Sequence, residues 1–351
     1  MRIVWVGPYY STFSVVGWLK VKALRSLGHE VVIFDNREVR LPLLKWLPTP
    51  ICHRLRRKIE RLAELDIVLM NKQLLHTVKA VKPDLVVADK ALNVSRSTIE
   101  QIGKMGAITA NWFPDNLNFL DWMREISGCY SYFFHFDPYV VSILRGEGQK
   151  NVHYLPFGCD PDLHRGVVLS DQELEKYGCD VCFTGAYYPE REEALSCLTD
   201  FNLKIWGYRN WMNTELRKFY HGTISNGEDM VKAYNACKIA LNIHYHLTGD
   251  GANYRTFEIT GCGAFQIVDD RKDLASLFEV GQEVVTYEYK NLSDLEEKVR
   301  YYLNNDQKRI AIAQKGQERA HRDHTLQQRM DRLIQVVTRG GEGNKNFSVE
   351  R

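Results

Sequence analysis

The chain has 351 residues, enough for two domains at a prior of roughly 150 residues each. Hydrophobic residues make up 44% and charged residues 26%, which excludes a disordered or fibrous chain. Lys and Arg total 46 against 44 Asp and Glu, so no global charge drives binding to nucleic acid.

The opening MRIVWVGPYY carries one charge before a short strand-like run, so no secretory signal is expected. Ile3–Val6 reads as a buried strand ending in a Gly7-Pro8 turn. Helical spacing over Val15–Leu27 stops at Gly28, and Glu30–Phe34 is the next strand. Further short β-rich runs are Asp84–Ala88, Ala107–Phe113 and Tyr130–Phe134. Helix patterns fall at about 53–65, 72–81 and 96–105. Strands alternating with helices imply a parallel sheet covered on both faces.

The texture changes at Val152. The stretch VHYLPFGCDPDLH to His164 is a short strand followed by turn residues and reads as a connector. The alternation then restarts with strands at Val181–Thr184, Leu203–Trp206, Ile239–Ile243, Phe265–Val268 and Glu283–Tyr287. Helix patterns lie at about 190–200, 228–236, 254–262, 271–278, 292–304 and 306–321. The tail 339–351 is Gly-rich and polar, and is expected to fray. No apolar run approaches a membrane span. The eight cysteines are scattered through a long chain, as expected of reduced thiols in a cytoplasmic protein.

The stretch from Leu241 to Gly263 carries the most chemistry. A strand ends near Ile243, a polar loop runs to Gly251, and Asn253 is placed to cap a helix that stops at Gly261–Gly263. A helix starting at the carboxyl end of a strand offers free N–H groups to an anion. Arg255 in its first turn opposes the helix dipole, which makes sense beside a phosphate. Glu258 lies one turn further in, and Asp250 eight residues before it. Glu258 can accept two hydrogen bonds from a vicinal diol such as a ribose. Taken singly, Glu258 reads as a solvated helix face and Arg255 as a surface salt bridge; the strand–loop–helix context favours the binding reading. A second element, Phe183 to Arg191, turns at Gly185 and restarts a helix near Pro189, which places Arg191 as another anion contact or as a plain surface residue. Trp206-Gly207-Tyr208 follows the next strand and can hold a base ring or fill core.

The run NYRTFEITGCGAFQIVDD and the segments LFEVGQEVVTY, DLEEKVRYYLNN and IAQKGQERAHRDHTLQQRM resemble the C-terminal domain of CgeB-like glycosyltransferases. Upstream, KPDLVVADK, NWFPDN, VHYLPFGCDPDLH and CDVCFTGAYYPERE agree, so the resemblance spans most of residues 80–335. It implies the GT-B fold: two Rossmann-like α/β domains whose parallel sheets face across a cleft. It implies that Glu258, before Cys262-Gly263, binds the ribose of a nucleotide-sugar. Asp250 takes the place of a Glu that supports the donor sugar, one methylene shorter. Asn253 and Arg255 then face the diphosphate, with Gly185, Arg191 and Tyr208 as further donor contacts. In the N-terminal half, Asp89, Lys90 and Asp115 follow strands and point at the cleft. Trp112 to Asn116 resembles a family segment facing the reaction centre. Lys90 and Asp115 are therefore catalytic candidates, Asp115 as general base toward an acceptor hydroxyl or simply as a turn cap.

The expected organisation is an acceptor domain over 1–155, a connector over 156–164, a nucleotide-sugar domain over 165–325, a helix over 326–338 returning to the first domain, and a flexible tail over 339–351. The expected activity is metal-independent, retaining transfer from a nucleotide-diphosphate sugar to a hydroxyl of a glycan, lipid-linked, protein or modified nucleic-acid acceptor. No cofactor is expected beyond the donor substrate. A nucleotide-sugar 2-epimerase and a non-catalytic envelope or spore-coat protein are the alternatives on the same fold.

Other signals carry less. Asp160-Pro-Asp162 matches an Asp-x-Asp metal motif but sits in the connector and reads as a turn. Cys179-Asp-Val-Cys182 has no second Cys-x-x-Cys, so neither zinc nor redox chemistry is expected there. His244 and His246 can share an ion on one strand face, but no third ligand is evident, so a cleft-lining loop is expected. Gly7-Pro-Tyr-Tyr lacks the spacing of a dinucleotide site. Residues 37–61 hold eight basic and two acidic side chains among leucines and Trp46. Such a run can touch an anionic membrane surface or a polyanion, or form an ordinary solvated helix. The protein is accordingly expected in the cytoplasm, either free or peripheral to a membrane.

Overall fold

The computed structural model describes residues 1–9, 15–38, 51 and 59–339. Most of the basic run, including Arg40, Lys45, Arg54, Arg56, Arg57 and Lys58, lies outside the described residues, as does the tail from residue 340.

Two all-parallel sheets organise the chain. The first contains β1 (Arg2–Val6), β2 (Glu30–Phe34), β3 (Leu85–Asp89), β4 (Ile108–Phe113), β5 (Tyr132–His135) and β6 (Val152–Tyr154), in the order β2-β1-β3-β4-β5-β6. The second contains β7 (Cys179–Thr184), β8 (Leu203–Trp206), β9 (Cys237–Asn242), β10 (Gln266–Asp269) and β11 (Val285–Tyr287), in the order β11-β10-β9-β7-β8. β1, β3 and β7 are buried along nearly their whole length, as continuous apolar strands covered on both faces must be. In each sheet the order reverses beside its first strand, between β1 and β3 and again between β7 and β9. Ligands of open parallel sheets bind beyond the carboxyl ends of strands at such switch points. The α/β architecture with two facing Rossmann-like sheets is the one expected from the sequence.

Some helices exceed the sequence reading. One helix runs over Glu60–Val81, where two separate patterns were expected; Met70, Leu74 and Val78 form its buried stripe at intervals of four. The helix Pro138–Gly146 starts at a Pro capped by Asp137, and Asp171–Tyr177 starts with a capping box between Ser170 and Glu173. Both are short enough to escape a periodicity reading.

The last helix, Leu326–Arg339, packs against the helix Val16–Ser26. Its buried Leu326, Met330, Leu333, Ile334 and Val337 share one apolar cluster with Ile3, Trp5, Leu19 and Leu24 of the first sheet layer and with Phe257 and Phe278 of the second half. The connector joins this cluster through Leu155, Phe157 and Cys159. No helix among the described residues is long and apolar enough to cross a membrane.

Candidate active site

A cleft of about 950 Å³ opens at the carboxyl ends of both sheets. Pro8 after β1, Asp89 and Lys90 at the end of β3, and Pro114 and Asp115 after β4 line it from one side. Thr184 and Gly185 at the end of β7, Gly207 and Tyr208 after β8, and Asn253, Arg255 and Glu258 line it from the other. Switch-point geometry thus brings both halves of the chain to one cavity.

The helix Tyr254–Gly261 is capped by Asn253, whose Oδ1 accepts from Thr256 N at 3.0 Å. The Asn253 amide also exchanges hydrogen bonds with Asn242, at 2.7 and 3.0 Å, so this side chain is committed to holding the helix start. First-turn N–H groups have no intrahelical acceptor, and Tyr254 and Arg255, which carry two of them, line the cleft. Arg255 donates from Nε to Thr184 Oγ1 at 3.0 Å. Arg191 is buried and spends its donors on carbonyls: Nε and Nη2 on Ile243 O, Nη1 on Ala186 O. Among the described residues no carboxylate pairs with Arg255 or Arg191. Burial, and then the neighbouring Arg255, pull the Arg191 guanidinium down to about 10. Both guanidiniums sit on the same wall of the cleft, close enough for Arg255 to disfavour the charge on Arg191. Gly185 is required there, since a Cβ would press on the Phe183 ring and on Arg191 Nη1.

Glu258 is 1% exposed, lines the cleft, and has no hydrogen-bond partner for Oε1 among the described residues. Burial pushes its carboxyl up to about 7, against the pull of Arg255. A buried carboxylate oxygen without a donor is costly unless a ligand supplies one.

The loop before this helix is fixed from both sides. His244 donates from Nδ1 to Asp269 Oδ1 at 2.8 Å and accepts from Asn253 N at Nε2 at 2.9 Å. Burial alone would raise the Asp269 carboxyl; His244 and Arg271 overcome it and hold it at about 2. From the first half of the chain, Asp137 accepts from Gly249 N at 2.8 Å and Asp250 N at 3.1 Å. A Cβ at Gly249 or Gly251 would strike Asp137, so both glycines permit the contact.

On the opposite wall Lys90 and Asp115 form an ion pair, each about one-third exposed. Lys90 and Ala91 both adopt left-handed backbone, with φ of 63° and 46°, which turns the chain sharply into the cleft at the end of β3. Beneath them Lys20 and Asp89 form a buried pair at 2.8 Å, with the Lys20 ammonium 4.4 Å from the centre of the Trp112 ring. Lys20 lines the cleft, and its helical spacing alone marked it as an ordinary residue of Val15–Leu27. Thr184 and Tyr245 are further cleft residues that the sequence reading passed over; Thr184 stands directly before Gly185, the one signal that pointed to it.

Trp206 and Tyr208 both touch the cleft, and the remaining candidates fall elsewhere. Tyr208 is exposed at the rim, while Trp206 is buried against Tyr177. Asp250 is not part of the cleft lining; its carboxylate faces Lys272 at 3.5 Å. His246 pairs with Glu190, and both ring nitrogens of His244 are taken. Asp160 and Asp162 both hold Lys22 Nζ, at 2.9 and 2.6 Å, in the connector turn.

Residues 191–335 match the model of a glycosyl transferase-like family. The spore protein CgeB of Bacillus subtilis (strain 168) is 26% identical over 185 residues, covering 47% of this chain and 55% of that protein. The chain thus matches about half the length of this curated relative. Sucrose-phosphate synthase from Thermosynechococcus elongatus superimposes with a TM-score of 0.72 at 9% identity, over 97% of this chain and 99% of the other. Anabaena HepE in complex with UDP-glucose superimposes with a TM-score of 0.65 at 11% identity, over 96% and 99%. The resemblance drawn from the sequence motifs is borne out by these matches, and the fold is GT-B.

Proposed function

From a GT-B fold whose residues 191–335 are glycosyl transferase-like, we propose that the protein transfers a sugar from a nucleotide-diphosphate sugar to an acceptor hydroxyl, with retention of configuration and without a metal ion. The observation that carries this reading is Glu258 Oε1, buried and without a hydrogen-bond partner among the described residues, one turn behind Arg255 and on the same cleft wall as Arg191. Glu258 accepts from the ribose diol. Arg255, Arg191 and the first-turn N–H groups take the charge of the diphosphate as the glycosidic bond breaks. With that charge met by the chain, Asp160 and Asp162 stay in their turn with Lys22. Residues 165–325 hold the donor and 1–155 present the acceptor, with Asp115 positioned by Lys90 to accept the hydroxyl proton. Retention is supported by the resemblance of Glu258 to the ribose-binding Glu of retaining enzymes. The bound UDP-glucose in Anabaena HepE makes UDP-sugars the first donors to try.

Isothermal calorimetry with UDP-, GDP-, dTDP- and CMP-sugars tests the reading. One class should bind, and its sugar should be released or transferred on incubation. No binding by any class would overturn it.

A further inference from the structure

The amino ends of β7 and β9 gather three thiols that the sequence keeps apart. Cys179 and Cys237 are register partners in the parallel pairing of these strands. Asp180 N and Val181 N both donate to Asn202 O, at 2.9 and 3.1 Å. Both donors turn to β8, so the start of β7 departs locally from the regular ladder while its register to β9 is kept. Cys179 and Cys182 share one apolar layer with Met230, Tyr234 and Cys262. Cys237 packs against the same layer. Cys237 is half-buried and donates to Tyr234 O at 3.3 Å, while Cys179 and Cys182 are buried. The Cys179-Asp-Val-Cys182 spacing, which had no partner in the sequence, finds one in Cys237.

We propose that Cys179 and Cys237 form a reversible disulfide when the protein meets hydrogen peroxide, with Cys237 oxidised first. Neighbouring strands lie roughly 4.8 Å apart, inside the Cα separation of about 4.4–6.8 Å that disulfides span. Cys237 is the most accessible of the three thiols. Its thiolate attacks a peroxide oxygen, the O–O bond breaks, and the departing hydroxide takes up a proton to become water. This leaves a sulfenic acid at Cys237. The Cys179 sulfur then attacks the Cys237 sulfur, the S–S bond forms, and hydroxide leaves to become a second water with the Cys179 proton. Two thiols are oxidised and one peroxide is reduced. The bond forms at the end of the sheet opposite the cleft, so it leaves the donor site open.

The test treats the full chain with a small excess of hydrogen peroxide, alkylates the remaining thiols and maps unreduced peptides by mass spectrometry. A Cys179–Cys237 linked pair, loss of two of the eight thiols, and full recovery with dithiothreitol are expected. In Cys179→Ala, dimedone should trap a sulfenic acid at Cys237. In Cys237→Ser, neither link nor adduct should form. The measurement on the parent protein stands even if a variant fails to fold. A Cys237 that stays alkylatable, links to another cysteine, or runs on to sulfinic acid unlinked would overturn the proposal.

Discussion

Arg255 reaches from the helix after β9 to the last residue of β7, where its Nε meets Thr184 Oγ1 at 3.0 Å. Thr184 is itself held by the Tyr234 hydroxyl at 2.5 Å. The guanidinium is thus steered by a second strand and fixed before any ligand arrives, which is the preorganisation an anion site needs.

Removing that cation should be felt only by ligands with phosphate. Charge-assisted hydrogen bonds are worth roughly 1.5–3 kcal/mol, so Arg255→Ala should weaken nucleotide diphosphate and intact donor by about tenfold to a hundredfold. The nucleoside should bind as before. Thr184→Val, which removes only the steering, should cost less. Calorimetry on the three ligands checks this, and equal losses for the nucleoside would mean that the site is distorted rather than discharged.

Glu258 makes a pH-dependent prediction. Its carboxyl titrates near 7 when folded, against an ordinary 4.5. Between these values the folded state keeps a proton that the unfolded state has lost. The contribution to stability is therefore full below pH 4.5 and is lost as pH rises through 7, about 3 kcal/mol in all. Glu258→Gln should flatten this decline in urea titrations. A diol donates better to the ionised form, so donor affinity should rise from pH 6 to 8 in the parent and not in Glu258→Gln. At pH 8 the variant should bind donor about tenfold to a hundredfold more weakly. If the variant unfolds instead, the residue is structural.

Metal removal separates two readings of the connector. Sugar transfer or donor hydrolysis should survive EDTA, because Asp160 and Asp162 are occupied by Lys22. Loss with EDTA and rescue by Mn²⁺ would bring those carboxylates back into the chemistry.

Asp115→Asn should lower donor turnover about a hundredfold or more, the usual range for a lost general base, while the donor Kd stays unchanged. Hydrolysis of donor, with water as acceptor, supplies a readout. A shift in Kd with no change in turnover would assign Asp115 to binding.

Lys20→Met leaves the Asp89 carboxylate buried without its partner. Denaturant unfolding should show a loss of about 3–5 kcal/mol, and Lys20→Met with Asp89→Leu should recover most of it. No loss in the single variant would show that water reaches Asp89.

The alternation of apolar strands with helical spacing sufficed for two parallel sheets, because fully buried strands announce themselves as continuous runs such as Val4–Val6 and Val86–Ala88. Local chemistry also marked the helix start at Asn253 and the close approach at Gly185, since a cap and a glycine act on their own neighbours. Short helices such as Pro138–Gly146 escaped because two turns present too few repeats. What only the tertiary structure decided were the pairings between distant residues. Lys20 with Asp89, Lys90 with Asp115, Asp137 with the Gly249–Gly251 loop, and Cys237 with Cys179 all join segments separated by other elements. The burial that leaves Glu258 Oε1 without a donor belongs with them. Charge and hydrogen-bonding capacity are written in each residue, but their strength depends on dielectric and distance, and folding alone sets both.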